Sequence, residues 1–346
     1  MTVEATRASA VPLRDRFDTA LTAFIDRQAV ISDSLRRFVL AGGKRLRPAF
    51  CYWGWRGAGG EDCPEVINAA AALELFHAFA LIHDDIIDDS DRRRGEPSLH
   101  RDFEEQHVRY GWRGDPAAFG RHTALLCGDL CAAWAEQMFH ECGLPADRIH
   151  QGYPMLARMR TEVIAGQYLD LAATADGGSV ARALTVIRMK AARYTVTRPL
   201  QIGARLAGAP PALIDAYGDF GDPLGDAFQL RDDVLGVFGD PAVTGKSTLD
   251  DLREGKPTVM MALTRAAADP GQLARIEALC GHPGLDADGA GQLRTIIVST
   301  GALDRVEQLI RERRDAATAA LARTPLPEPA RAALETMIGA ATDRRR

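Results

Sequence analysis

What this 346-residue chain lacks narrows its class before any motif is considered. It has no Cys-x-x-Cys pair. Its six cysteines, at 51, 63, 127, 131, 142 and 280, lack the spacing of a zinc site. Cys127 and Cys131 are four apart on an expected helix and read as core thiols, which suits a reducing compartment. Cationic excess is absent too: net charge is -5 and pI about 5.9, so nothing electrostatic favours nucleic acid. No run of about 18 apolar residues reads as a membrane span, and the first residues carry no apolar signal core. A cytoplasmic protein is expected. Period-2 alternation, repeats and low-complexity linkers are also missing, which argues against a sheet or a solenoid.

Helical periodicity is what remains. It covers 15–40, 64–89, 121–140, 150–175, 179–207, 211–237, 257–268, 289–299 and 302–322. Pro64 fits a first helical turn, and breaks fall at Gly42-Gly43, 57–60, 111–116, 177–178, 209–211, 239–241 and 325–329. Several of these helices are apolar nearly all round, as buried helices are. The expectation is an all-α fold, one large helical bundle forming a single domain over 1–346, with mobile tails at 1–14 and 343–346.

Two acidic clusters interrupt this apolar pattern. Asp84, Asp85 and Asp88 lie among Leu81, Ile82, Ile86 and Ile87, and Asp232-Asp233 lie among Phe228, Leu230, Val234 and Leu235. At spacings of three and four, Asp84, Asp85 and Asp88 share one helix face. Carboxylates crowded on an apolar face are costly unless a cation compensates them. Mg²⁺ bound by few carboxylates completes its shell with water and phosphate, so a Mg²⁺–diphosphate enzyme is the first inference.

Basic elements accompany the clusters. Arg92, Arg93 and Arg94 follow the first one, and guanidinium groups bind phosphate bidentately. The segment GGKRLRP carries Lys44 and Arg47 behind a glycine pair that lets backbone approach an anion closely. Lysine is scarce, and Lys246 and Lys256 lie near the second cluster, while Lys190 stands in an arginine-rich helix. Gly245-Lys246-Ser247 is not a P-loop: position 240 is Asp, and a helix pattern precedes it.

In this order, GGKRLRP, DDIIDDSDRRRG and FQLRDD with downstream lysines resemble the trans-isoprenyl diphosphate synthase, or polyprenyl synthetase, family over about Phe38 to Thr258. That resemblance implies an all-α bundle around a deep central cavity, a homodimer, and Mg²⁺-dependent joining of an allylic diphosphate to isopentenyl diphosphate. Transferred by position, it implies Asp84, Asp88 and Asp232 as Mg²⁺ ligands, with Asp85 in support and three ions around the allylic diphosphate. Arg93, Lys190, Lys246 and Lys256 would hold the allylic diphosphate; Lys44, Arg47, His77 and Arg94 would hold isopentenyl diphosphate. Lys190 and Gln229 would flank the nascent carbocation. Two departures stand out: Gly236 replaces the last aspartate of the second motif, and Ala191 replaces a common threonine.

Three other readings compete. A class I terpene cyclase needs no second diphosphate site, a metal phosphohydrolase using His83-Asp84 would need more histidines, and a non-catalytic synthase subunit would be expected to lose the aspartates or the basic pocket. Residues 121–140, with Leu125, Leu126, Trp134 and Met138, form the candidate dimer face. In the family, product length is set by the helix ahead of the first motif. Here Phe79 and, a turn deeper, Phe76 can obstruct the chain, but Ala80 is small and DDIID is uninterrupted, which favours geranylgeranyl diphosphate, with farnesyl diphosphate second.

Overall fold

The computed structural model describes residues 11–28, 32–176, 179–240 and 248–342. The fold is all-α, as expected. In chain order the helices are α1 (Leu13–Ile25), α2 (Asp33–Leu40), α3 (Leu46–Gly57), α4 (Pro64–Ile87), α5 (Leu99–Arg109), α6 (Pro116–His140), α7 (Ala146–Asp176) and α8 (Val180–Val186). A π-helix (Ile187–Thr197) runs into α9 (Arg198–Leu206), followed by α10 (Pro211–Phe238) and α11 (Asp250–Arg253). The last helices are α12 (Val259–Ala267), α13 (Pro270–Leu279), α14 (Ala287–Ser299), α15 (Ala302–Arg323) and α16 (Glu328–Thr342).

Local chemistry explains the starts. Ser32, Asp115, Ser179, Thr258 and Asp286 each accept a first-turn backbone N–H, and Asp269 with Gln272 closes a reciprocal capping box. Ser32 also explains a correction: residues 15–40 are two helices, because α2 has its own cap. Of the span expected as an N-terminal tail, Leu13 and Arg14 belong to α1; residues 1–10 and 343–346 lie outside the described residues. A two-residue hairpin, β1 (Arg92–Arg93) with β2 (Glu96–Pro97), pairs antiparallel where no strand was expected. Strands this short carry no visible alternation.

Contacts divide the chain into two compact units: Met1–Tyr153 with Ile202–Ala209, and Pro154–Gln201 with Pro210–Arg346. In the first, α4 packs along α6 and against α1 and α3, and α5 packs on α6. The buried side of α4 includes Val66, Ile67, Leu73, Leu75, Phe76 and Ile82. By length and composition α4 could cross a membrane, but 67% of its most apolar window is buried inside the protein. Trp134 and Met138 of α6 are also core here, at 6% and 3% exposure, so they are not available as dimer contacts; Leu125 and Leu126 are exposed. In the second unit α10 packs against α15 and the π-helix. Its core includes Ala227, Leu230, Val234, Met260, Leu293, Ile297, Val306 and Ile310. Arg231 of α10 donates to both carboxylate oxygens of Glu307 in α15, at 2.6 and 2.8 Å.

Candidate active site

The first acidic cluster closes α4. The Asp88 N–H donates to the Asp84 carbonyl at 2.8 Å, and the Ser90 N–H to the Asp85 carbonyl at 2.9 Å. Asp89 then turns left-handed, with φ 50°. The hairpin reverses through Arg94 (φ 55°) and Gly95 (φ 83°) and brings Arg93 back onto α4. Arg93 Nε donates to Asp85 Oδ1 at 2.8 Å, Nη2 touches the same oxygen, and Nη2 lies 3.6 Å from Asp84 Oδ2. Asp85 is buried, and its Oδ2 has no hydrogen-bond partner. Burial pushes this carboxyl up; Arg93 opposes the rise, and Asp84 and Asp88 add to it. Asp85 is thus engaged by an arginine, while Asp84 and Asp88 flank it.

The basic segment meets the same region within the first unit. Gly42 and Gly43 have φ of 82° and 138°, conformations open to glycine. Arg94 Nη1 donates to the Gly42 carbonyl at 2.6 Å, and a Cβ at Gly43 would stand 3.3 Å from Arg94 Nη2. Arg47 sits in the first turn of α3, beside the exposed Lys44. His77 of α4 is held well below the usual imidazole range, first by desolvation and then by Arg47, Arg94, Arg93 and Arg45. An imidazole kept neutral near several guanidinium groups is suited to a polyanion: the cations supply charge and the imidazole a directional hydrogen bond. Arg47 and Arg94, together with Arg93 and Arg45, thus lie close enough to His77 to act on it electrostatically.

In the second unit, Asp232 and Asp233 lie near the end of α10. Gln229 Nε2 donates to Asp233 Oδ1 at 2.8 Å. Asp233 is pushed up to about 7, chiefly by burial, with Asp251 and Asp232 adding to the rise and Gln229 and Lys256 opposing it. Position 236, where the motif lacks its aspartate, is informative. A Cβ there would stand 1.9 Å from Asp251 Oδ2, so the Asp251 carboxylate from α11 occupies the space a side chain at 236 would enter. Lys256 Nζ lies 2.8 Å from Glu254 Oε2 and 3.5 Å from Asp251 Oδ1. Lys246 lies outside the described residues.

Lys190 stands in the π-helix, a rare element often found at functional sites. Two glycines let its neighbours close in. A Cβ at Gly166 of α7 would fall 2.5 Å from the Lys190 backbone N, and one at Gly225 of α10 would fall 2.6 Å from the Ala192 Cα. Ion pairs fix the rest: Arg193 with Asp222 at 3.1 Å, Arg188 with Asp226 at 2.8 Å, and Arg198 with Glu162 at 2.7 Å. Lys190 Nζ donates to Asp170 Oδ2 of α7 at 2.7 Å. Sequence reasoning missed Asp170, Asp251 and Arg45. Asp170 and Asp251 carry no motif of their own, and nothing but their spatial partners marks them; Arg45 was quoted inside GGKRLRP without a role.

Along α4 the expected length-setting residues form a row. The Phe76 and Phe79 rings are 5.1 Å apart, and Phe79 meets the His83 ring at 4.7 Å; Phe76 is buried and Ala80 half-buried.

The oxygen-only acidic donors suit Mg²⁺. Among the described residues no three His, Cys, Asp or Glu side chains form a ready-made cage.

The polyprenyl synthetase family model matches residues 28–294. Among solved structures, the chain is similar to geranylgeranyl pyrophosphate synthase from Corynebacterium glutamicum complexed with isoprenyl diphosphate and magnesium. The TM-score is 0.91 and identity 42%, over 96% of this chain and 98% of that one. It is 33% identical over 300 residues to a geranylfarnesyl diphosphate synthase of Aeropyrum pernix, covering 85% of this chain and 88% of the relative. It is also 33% identical over 227 residues to a (2E,6E)-farnesyl diphosphate synthase of Mycobacterium tuberculosis, covering 65% and 57%. The chain belongs to the polyprenyl synthetase family and is a trans-isoprenyl diphosphate synthase.

Proposed function

We propose that this prenyltransferase makes geranylgeranyl diphosphate by adding isopentenyl diphosphate to a shorter allylic diphosphate, as a cytoplasmic homodimer in which residues 1–346 are a single prenyl synthase domain. The two-substrate reading is supported by a basic cluster at the Gly42-Gly43 segment, where Arg94 Nη1 donates to the Gly42 carbonyl at 2.6 Å and Arg47, Arg94, Arg93 and Arg45 all act electrostatically on His77. A terpene cyclase would need only the acidic cluster.

In this reading Lys44, Arg47, His77 and Arg94 hold isopentenyl diphosphate. Arg93, Lys190, Lys246 and Lys256 hold the allylic diphosphate, and Asp84, Asp88 and Asp232, with Asp85 behind them, hold Mg²⁺. Three ions are proposed. When bound, Mg²⁺ neutralises charge developing on the departing diphosphate. The arginines and lysines share that task from fixed positions, and fixed cations cost no reorganisation as the carbon–oxygen bond breaks. Apolar helix walls keep water from the allylic cation, with Lys190 and Gln229 beside it. Holding the double bond of isopentenyl diphosphate at short range supplies much of the acceleration. The final proton leaves with the departing diphosphate.

Ala80 and the uninterrupted DDIID segment support the longer product. The paired Phe76 and Phe79 rings favour farnesyl diphosphate as the second reading. The exposed Leu125 and Leu126 support self-association through α6. The test is incubation with isopentenyl diphosphate, several allylic primers and Mg²⁺, followed by product chromatography. Geranylgeranyl diphosphate should dominate, and Asp84→Ala should cut turnover by orders of magnitude while circular dichroism stays unchanged. Termination at farnesyl diphosphate from every primer would select the second reading; no elongation at all would refute both.

A further inference from the structure

We propose that Arg45, gripped by Glu74 and Asp18, is a positioning residue that sets the geometry of the isopentenyl diphosphate pocket. This rests on reading Arg47, His77 and Arg94 as that pocket. Arg45 lies inside GGKRLRP, yet its side chain turns inward. It is 3% exposed, whereas the adjacent Lys44 is exposed. Its backbone is left-handed, with φ 49°, a conformation that a residue bearing a Cβ adopts when its surroundings hold it there.

Two carboxylates from different helices do the holding. Arg45 Nε donates to Asp18 Oδ1 of α1 at 2.7 Å, and Nη1 donates to Glu74 Oε2 of α4 at 2.7 Å. Glu74 is itself buried and lies three residues before His77 on the same helix. Asp18 is also approached by Arg14 at 3.7 Å, and Arg14 Nη2 lies 3.3 Å from where a Cβ of Gly42 would stand. The third nitrogen, Arg45 Nη2, is buried without a hydrogen-bond partner. Such an arrangement is a poor device for stability alone, because apolar side chains of similar volume often stabilise as much as a buried ion pair. Its value lies in what it fixes. Arg45 is the N-cap residue of α3 but makes no side-chain cap there; instead it ties the start of α3 to α4 and α1. Arg47 follows two residues later and the Gly42-Gly43 seat of Arg94 precedes it, so one anchor sets both against His77.

Charge supports the same role. Glu74 and Asp18 set two carboxylates beside like-charged guanidinium groups, balanced by Arg45 and, on the exposed side of Asp18, by Arg14. Glu74 favours the charged form of Arg94 against burial and its arginine neighbours. Without that acid, the pocket's cations would repel one another before the substrate arrives.

The test compares Glu74→Gln, Asp18→Asn and Asp18→Glu with Arg47→Ala, varying isopentenyl diphosphate and geranyl diphosphate separately. Glu74→Gln should raise KM for isopentenyl diphosphate about tenfold while KM for geranyl diphosphate stays within about twofold. Asp18→Asn should shift the same constant in the same direction by less, and Asp18→Glu should restore it. A merely structural role would lower the amount of active enzyme without this split. If Glu74→Gln does not fold, the Asp18 pair decides alone. Unchanged constants, or equal rises for both substrates, in the clamp variants while Arg47→Ala stays selective would overturn the positioning role and leave the pocket reading intact. Equal rises in Arg47→Ala would remove the pocket reading and this inference with it.

Discussion

Restoring the aspartate that the second motif lacks should harm the protein. On sequence grounds Gly236→Asp looks like a repair. In the structure the space is filled: Asp251 Oδ2 lies 1.9 Å from the new Cβ, far inside contact distance, so the Asp251 side chain must swing away. It would leave Lys256, now 3.5 Å distant. The new carboxylate would also join Asp232, Asp233 and Asp251. A like-charged pair about 5 Å apart costs about 3 kcal/mol at an effective dielectric near 20. The Asp251 side chain is 28% exposed, and screening reduces the expected loss to about 1–2 kcal/mol. At roughly 2–4 °C per kcal/mol, calorimetry at low salt should show Tm lower by several degrees. Gly236→Ala adds the Cβ without the charge, so the difference between the two variants isolates the electrostatic part. In assays, Gly236→Asp should raise KM for the allylic diphosphate about three- to tenfold, through the displaced Lys256. An unchanged Tm together with higher activity at limiting Mg²⁺ would refute the argument, because it would mean that Asp251 does not stand in the missing side chain's place.

Two further expectations follow from other sites. Phe79→Ala should lengthen the product, read by chromatography, because it opens the ring row at the step between Phe76 and His83; an unchanged distribution in Phe79→Ala and in Phe76→Ala would remove α4 as the length gauge. Burial alone would raise the Glu162 carboxyl, but Arg198, Arg158 and Arg193 outweigh it and hold it below its usual value of 4.5. A depressed acid contributes stability above its unfolded pKa and loses it as pH falls through the folded one. Wild type should therefore exceed Glu162→Gln in Tm by an amount that is constant at neutral pH and shrinks below about pH 4; a gap that does not change with pH would refute the assignment.

Several features were legible in the chain itself. Apolar residues at helical spacing determined the all-α class, since that spacing leaves no alternating face for a sheet. Asp84 and Asp88, and Arg47 with Arg94, were visible because each sits in a motif whose residue types point to diphosphate chemistry; His77 lies in no such motif and entered only through the resemblance to the family. Tertiary structure alone decided other things. Trp134 and Met138 look like interface residues in an apolar run, but packing against neighbouring helices buries them. The π-helix around Lys190 has no sequence mark, because its register is held by side chains 20 to 38 positions away, such as Asp170, Asp222 and Asp226. Gly236 reads as a loss until Asp251 appears in the space beside it. Arg45 has no evident role in GGKRLRP until its guanidinium is found between Asp18 and Glu74. Periodicity and motifs are properties of neighbouring residues and survive in one dimension. The partner of a buried charge is set by which helices pack together, and the order of residues does not carry that information locally.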